Sequence, residues 1–168
     1  MTKLSEIYVT GLKNAHAMEH EALAIMEPQV ASIKNYPEVA QRLQQHLEET
    51  KGQILRLESL LERAGAQKSA LKDIAMGAGG TIAALGHKLA PDEIVKNSFA
   101  NFAFEHYEIA AYKSLIALAR AQNDSDPVAT LTTTLDEEIA MSEWLDYNVE
   151  PLTLQFATLR EQGLHSKN

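Results

Sequence analysis

The stretch IAMGAGGTIAALGHKLA, residues 74–90, is small, apolar and glycine-bearing, whereas the sequence on either side of it is charged and periodic. It reads as the larger part of a 66–90 connection made from short helical pieces packed on something bigger. Upstream, apolar residues recur at helical spacing from Leu4 to Ile33, Asn35-Tyr36-Pro37 forms a turn, and a second run covers 37–64. Pro37 suits a first helical position, and Gly65 suits the position just past a helix end, where a left-handed conformation costs glycine nothing. Downstream, Pro91-Asp92-Glu93 opens a third helix, 91–121, with its acidic residues at the positive end of the helix dipole. A turn follows at 123–126, with Asp126 as cap and Pro127 opening a fourth helix, 127–148; Pro151 interrupts it and leaves 152–161 as a short terminal helix. No segment alternates as a strand would. Two short-turn helical hairpins joined by one long crossover predict a single all-α domain over residues 1–168, an antiparallel four-helix bundle.

The composition narrows what such a bundle can do. A chain of 168 residues with 45% hydrophobic content can bury a core, and its 6% aromatic content is low for sandwiches and barrels. Lys plus Arg total 15 against 23 Asp plus Glu, a net charge of −8, which argues against nucleic acid or an acidic membrane as partner and makes a cation the natural one. With no cysteine, disulfides, thiolate sites, iron–sulfur clusters and a Cys nucleophile are excluded, so a metal must use Glu, Asp, His or carbonyl ligands. The N-terminal stretch MTKLSEIYVTGLKNAHAMEHE has no apolar signal core, and no stretch approaches the roughly 20 apolar residues of a membrane span. The expectation is a soluble, cytoplasmic protein.

Glutamates stand where leucines belong. A helix turns about 100° per residue, so positions seven apart share one line of its surface. Leu12, Glu19 and Met26 form such a line beside Tyr8, Ala15 and Ala22, so Glu19 points inward. Glu105 falls among Phe102, Ile109, Tyr112 and Ile116, with Glu108 on the flank of that stripe. Leu131, Glu138 and Leu145 align in the fourth helix, and Glu137 falls on the opposite side unless the helix is distorted. In the second helix the stripe is Val39, Leu43, Leu47, Thr50, Ile54, Leu57 and Leu61, which leaves Glu49 at the edge with His46, Gln53 and Leu60. Its i, i+4 neighbour Gln53 and an internal repeat bring Glu49 into the site. AMEHE (17–21) recurs as AFEHYE (103–108), and HLEET (46–50) as TLDEE (134–138), as a duplicated helical hairpin would give. Each glutamate alone is an ordinary helix edge. Buried together, ionised carboxylates repel one another and each is costly to desolvate; two divalent cations offset most of that charge, as in di-iron and di-manganese bundles of the ferritin-like kind. Glu19, Glu49, Glu105, Glu108 and Glu138 are therefore the expected metal ligands, and hard oxygen donors favour iron or manganese.

Other groups read as packing. His106 falls near the apolar stripe as a hydrogen-bonded core histidine, and Tyr107 and Tyr112 as packing residues near the carboxylates. GAGG (77–80) is no phosphate loop, since no strand precedes it and no GK[ST] follows; it suits close packing, including against a second subunit. Trp144, with Tyr147 nearby on the outward side, is a candidate interface anchor.

NAHAMEHEALAIME (14–27), NYPEVAQRLQQHLEETKGQILRLE (35–58), PDEIVKNSFANFAFEHYEIAAY (91–112) and LDEEIAMSEWL (135–145) closely resemble the YciE branch of the YciE/YciF family of bacterial stress proteins. The resemblance spans nearly the whole chain and is most specific in HLEET and FEHYEIAAY. It implies a ferritin-like fold related to rubrerythrins, a tendency to dimerise, and a part in stress responses. Ferritin-like sites usually pair a Glu on helices two and four with a His three residues on; Gly52 and Met141 stand there instead, and Gln53 stands where YciF-type relatives carry a His. Histidines precede the glutamates, His16 before Glu19 and His46 before Glu49. His16 lies about 60° around the helix from Glu19, and reads as a hydrogen-bonding neighbour or surface residue, with direct ligation as the alternative. The expected function is a stress-response protein holding a dinuclear iron or manganese centre, able to oxidise ferrous ions or reduce peroxide. The alternative is a non-catalytic, homodimeric structural or adaptor protein with a degenerate metal site; an iron-storage cage is disfavoured.

Overall fold

The computed structural model describes residues 2–66 and 93–166, and among them the secondary structure is entirely helical. Helix α1 is Lys3–Ser32, α2 Pro37–Arg63, α3 Glu93–Ala121 and α4 Ser125–Glu161. Thr2 caps α1, its hydroxyl accepting the Ser5 amide at 3.2 Å, and Pro37 occupies the first turn of α2. Gly65 adopts φ +88°, which lets the Gly65 and Ala66 amides turn back to the carbonyls of Glu62 and Leu61 at 2.9 Å each. The expected crossover at 66–90, including GAGG, lies outside the described residues apart from Ala66.

Two helix boundaries differ from expectation. Helix α4 starts at Ser125 rather than behind an Asp126 cap, and Arg63 instead binds both Asp124 and Asp126. More consequentially, α4 runs unbroken through Pro151 to Glu161. The reason is burial: Leu152 joins Tyr36, Ile94 and Val95 in an apolar cap, with Phe156 and Leu159 packed against it. Gln155 donates to the Asn35 carbonyl at 3.1 Å, while the Asn35 amide and the Tyr36 hydroxyl donate to the carbonyls of His165 and Ser166.

The core clusters fix the topology. Tyr8, Leu12 and Met18 of α1 pack with Leu57 and Leu61 of α2, Leu115 and Ile116 of α3, and Leu131 of α4. The start of α1, the end of α2, the end of α3 and the start of α4 thus share one end of the bundle, and Ile94 of α3 lies at the other, beside Tyr36 and Leu152. Helix α1 packs on α2 and α3, and α4 on α2 and α3, every neighbour antiparallel. Helix α2 therefore finishes at one end and α3 begins at the other, about 40 Å away by the length of α2, as a crossover of the ferritin-like kind requires. Gly11 allows α1 and α3 to approach closely: a Cβ there would lie 2.8 Å from Leu115 Cδ2.

A second apolar layer of Ala22, Met26, Leu43, Leu47, Met141 and Leu145 lies farther along the bundle. Between the two layers, every helix contributes buried polar side chains: Glu19 on α1, His46, Thr50 and Gln53 on α2, Glu105 and Glu108 on α3, and Thr134 and Glu138 on α4.

Candidate metal centre

Helices α1 and α4 carry a carboxylate inward because the heptad line that buries apolar residues above and below also passes through it. Leu12 and Met26 fix the face for Glu19, and Leu131 and Leu145 that for Glu138. Glu19 and Glu138 are 0% exposed, Glu108 1% and Glu105 3%.

His46 is the hub of the cluster. Its Nε2 lies 3.3 Å from Glu105 Oε1 and 3.6 Å from Glu138 Oε2, and its Nδ1 lies 2.9 Å from Glu49 Oε2. Ligand atoms of His46, Glu105, Glu108 and Glu138 all fall within 4.8 Å of one another, so the group can hold a metal ion. Glu19 completes the layer from α1, where the Tyr112 hydroxyl donates to its Oε1. Gln53 donates to Glu138, and to Glu137 at 3.1 Å. Glu137 itself stays half-buried at the rim and pairs with Arg56, whose Nε also donates to Thr134 at 3.0 Å. Of the two adjacent glutamates, Glu138 is the inner one.

Glu49 takes a different place. It is half-buried and accepts from Gln45 at 2.7 Å and from Arg42 at 3.1 Å, so it meets the cluster only through the Nδ1 side of His46. The edge of α2 that carries it is nevertheless internal at His46, Gln53 and Leu60. His16 is buried, with Nε2 3.5 Å from Glu58 Oε1. His106, expected in the core, is exposed; its Nδ1 lies 3.1 Å from the Phe102 carbonyl and 3.3 Å from Ser142 Oγ. Tyr107 is exposed as well.

The electrostatics follow from burial. Desolvation raises Glu19 to about 8 against the opposing influence of the Tyr112 hydroxyl and His46. Burial, and then the neighbouring carboxylates, raise Glu108 and Glu138 well above the ordinary range. Burial pulls His46 down, but hydrogen bonds to Glu105 and Glu49 and the charges of Glu105 and Glu138 outweigh it and push the ring up to about 10. Burial, the largest single influence, raises Glu49, but hydrogen bonds from His46 and Gln45 and the charge and hydrogen bond of Arg42 together outweigh it and hold it down at about 2. Both oxygens of Glu108, and Oε2 of Glu19, Glu105 and Glu138, are buried with no hydrogen-bond partner. Buried polar atoms normally have partners, so a layer of orphaned oxygens around one imidazole fits a cation.

Residues 3–158 match the model of a family described as a domain of unknown function, DUF892. The fold is similar to a crystal structure of a protein from Xanthomonas campestris, with 31% identity, a TM-score of 0.79, and 96% of this chain and 99% of that one covered. It is also similar to YcfI of Rhodopseudomonas palustris, with 28% identity, a TM-score of 0.69, and 87% and 94% covered. The E. coli stress protein YciF, at 23% identity, a TM-score of 0.71, and 89% and 96% covered, shares the fold. Among the described residues, no helix is long and apolar enough to cross a membrane.

Proposed function

The chain belongs to the DUF892 family, and we propose that it is a stress-response member of the YciE branch whose bundle core holds a dinuclear iron or manganese centre. One observation carries this: His46, Glu105, Glu108 and Glu138, all buried, bring ligand atoms within 4.8 Å of one another. With Glu19, the inner carboxylates number four, and when ionised their combined charge balances that of two divalent ions. Oxygen donors outnumber nitrogen, which favours iron or manganese over zinc or copper. Such a centre, when bound, would supply redox chemistry: passing electrons from ferrous ions to dioxygen or peroxide as oxidant. The chain's own residues position it. Tyr112 fixes Glu19, Gln53 fixes Glu138, and Glu49 holds the Nδ1 side of His46 so that Nε2 faces the carboxylates. Direct ligation by Glu49 requires its release from Arg42 and Gln45. The apolar layers on either side keep water from the ligands.

The metal-free adaptor is the second reading, because Tyr112 and Gln53 already satisfy one oxygen each of Glu19 and Glu138. For either form we propose a cytoplasmic homodimer; light scattering tests the dimer and cell fractionation the location. Metal analysis by mass spectrometry, on protein purified without chelator or metal-affinity resin, separates the two readings. About two equivalents of iron or manganese per chain are expected, with none in Glu105→Ala. Absence of metal in the wild type, even after anaerobic loading with ferrous iron, would leave the adaptor.

A further inference from the structure

The ligand layer is closed to solvent. His46 and the four inner carboxylates are at most 3% exposed, and an apolar layer lies on either side of them. Taking a charge out of water is costly, so an ion crosses such a wall along polar side chains. One hydrogen-bonded route from the rim runs through Glu49, but it ends on Nδ1 of His46, whose ring fills the way and whose Nε2 faces the carboxylates. Another route, on the seam between α2 and α4, has no such plug.

On that seam Gln53 and Arg56 of α2 face Thr134 and Glu137 of α4. Arg56 Nη2 and Gln53 Nε2 both donate to Glu137 Oε2, the latter at 3.1 Å, and the same Nε2 donates to Glu138 Oε1. The rim and core oxygens therefore lie within about 6 Å of each other, two hydrogen-bond lengths. Exposure falls along the chain: the Arg56 and Glu137 side chains are 27% and 26% exposed, Gln53 and Glu138 0%. Oε1 of Gln53 is buried without a partner. A terminal amide torsion is broadly two-fold, so half a turn puts this oxygen where Nε2 lies, as a stepping stone between the two carboxylates. Arg56 has room to leave. Gly52, one turn before it, costs α2 about 0.5–1 kcal/mol relative to alanine. Among the described residues, the one atom within 4 Å of a Cβ there would be Nη1 of Arg56, at 3.8 Å. Burial raises the Glu19 carboxyl and Arg56 is among the charges that lower it, so the field of the guanidinium reaches the core.

We propose that Glu137, Gln53 and Arg56 form the port through which a divalent ion enters and leaves the core: the ion displaces the Arg56 guanidinium from Glu137 and passes by way of the Gln53 carbonyl to Glu138. One cation replaces another on the same carboxylate, so Glu137 is never left uncompensated, and neither apolar layer has to open. Glu137 is a transfer ligand that holds no ion at rest, because the returning guanidinium takes its place. The inference rests on the metal centre proposed above and concerns how fast it fills, whatever its nuclearity.

Timed uptake of manganese chloride by metal-stripped full-length protein, and timed loss from loaded protein into EDTA, test the port when each is stopped by desalting and read by metal analysis. Glu137→Gln should slow uptake by about tenfold or more, as expected when a charge that focuses cations at an entrance is removed. Loss should slow by a similar factor, because a port lowers the barrier in both directions, and stoichiometry and Kd should stay at wild-type values. Arg56→Gln should speed both uptake and loss. A resting ligand would instead raise Kd, and a merely structural residue would lower the melting point without slowing loss. Both side chains are partly exposed, so the variants should fold, which circular dichroism checks. Wild-type rates in Glu137→Gln, with manganese bound by wild type and lost in Glu105→Ala, would overturn the port alone. A wild type that takes up no manganese would overturn the centre and the port with it.

Discussion

At His46 two opposing influences meet, and their balance sets how the core takes up metal. Burial disfavours the imidazolium, yet its carboxylate neighbours raise it to about 10, while burial raises the Glu19 carboxyl to about 8. Near neutral pH the metal-free core therefore holds protons on both. A cation needs a neutral imidazole and ionised carboxylates, so loading expels protons and manganese affinity should rise from about pH 6 to 8. Calorimetric titrations in two buffers of unlike ionisation heat should give different apparent enthalpies; identical values would contradict the protonated core. Stability follows with a definite sign. Between 4.5 and about 8 the folded state holds a Glu19 proton that the unfolded chain has released, so raising pH through this window destabilises the metal-free protein. The stabilisation from His46, complete below 6.5, is likewise lost as pH rises toward about 10. Glu49, held at about 2, contributes above 4.5 and loses its contribution only as pH falls through about 2, outside this range. Urea titrations should find the metal-free protein more stable at about pH 5 than at about pH 8, each differing proton contributing up to about 1.4 kcal/mol per pH unit. Equal midpoints would mean that the core carboxyls titrate normally.

Helix α4 continues past Pro151 although a proline inside a helix forfeits an N–H and crowds the preceding turn, at a cost of about 3 kcal/mol in an ordinary helix. Packing of Leu152 against Tyr36 and Ile94 outweighs that local preference. Pro151→Ala should raise stability by about 1–3 kcal/mol, or roughly 2–4 °C per kcal/mol in a thermal melt, whereas Leu152→Ala should lower it by about 2–5 kcal/mol. A Pro151→Ala variant that melts lower than wild type would show that the proline shapes the cap. This is where local signals ran out: Pro37 and Gly65 marked real helix ends because the fixed φ of proline and the left-handed φ of glycine set those boundaries in the local backbone, whereas the burial of Leu152 depends on Tyr36, Ile94 and Val95, more than fifty positions away. The candidate centre divides in the same way. Glu19 and Glu138 are legible as inward because a heptad line through flanking apolar residues fixes their face, Glu105 because it falls within the apolar stripe of α3, and Glu108 because it flanks that stripe. His46 and Gln53 sit about 100° from the stripe residues Leu47 and Ile54. They are internal because α2 packs on both α1 and α4, which buries a wider arc than one stripe reveals. The same arc passes Glu49 by, since Arg42 and Gln45 hold its carboxylate at the rim.

Across the whole bundle the polar layer separates two apolar ones, and this arrangement divides the labour between folding and binding. The helices are held by leucine, methionine and tyrosine packing on both sides of the layer, so stripping metal should leave the helical circular dichroism signal unchanged. What changes is the melting point, because an ion bound only to the folded state stabilises it by about 2.7 kcal/mol when present at 100 times its dissociation constant. At roughly 2–4 °C per kcal/mol, EDTA should lower the melting temperature by about 5–11 °C. Leu12 lies in the first apolar layer, seven residues or about 10 Å along α1 from Glu19. At that separation effects are normally additive, so Leu12→Ala should lower the melting point equally in loaded and stripped protein, by the equivalent of about 2–5 kcal/mol, and keep its metal. Glu105→Ala should do the reverse, losing metal and with it any further response to EDTA. A Leu12→Ala protein that also lost its metal would mean that the apolar layer and the ligand layer form one cooperative unit, with the site's geometry set by packing throughout the bundle.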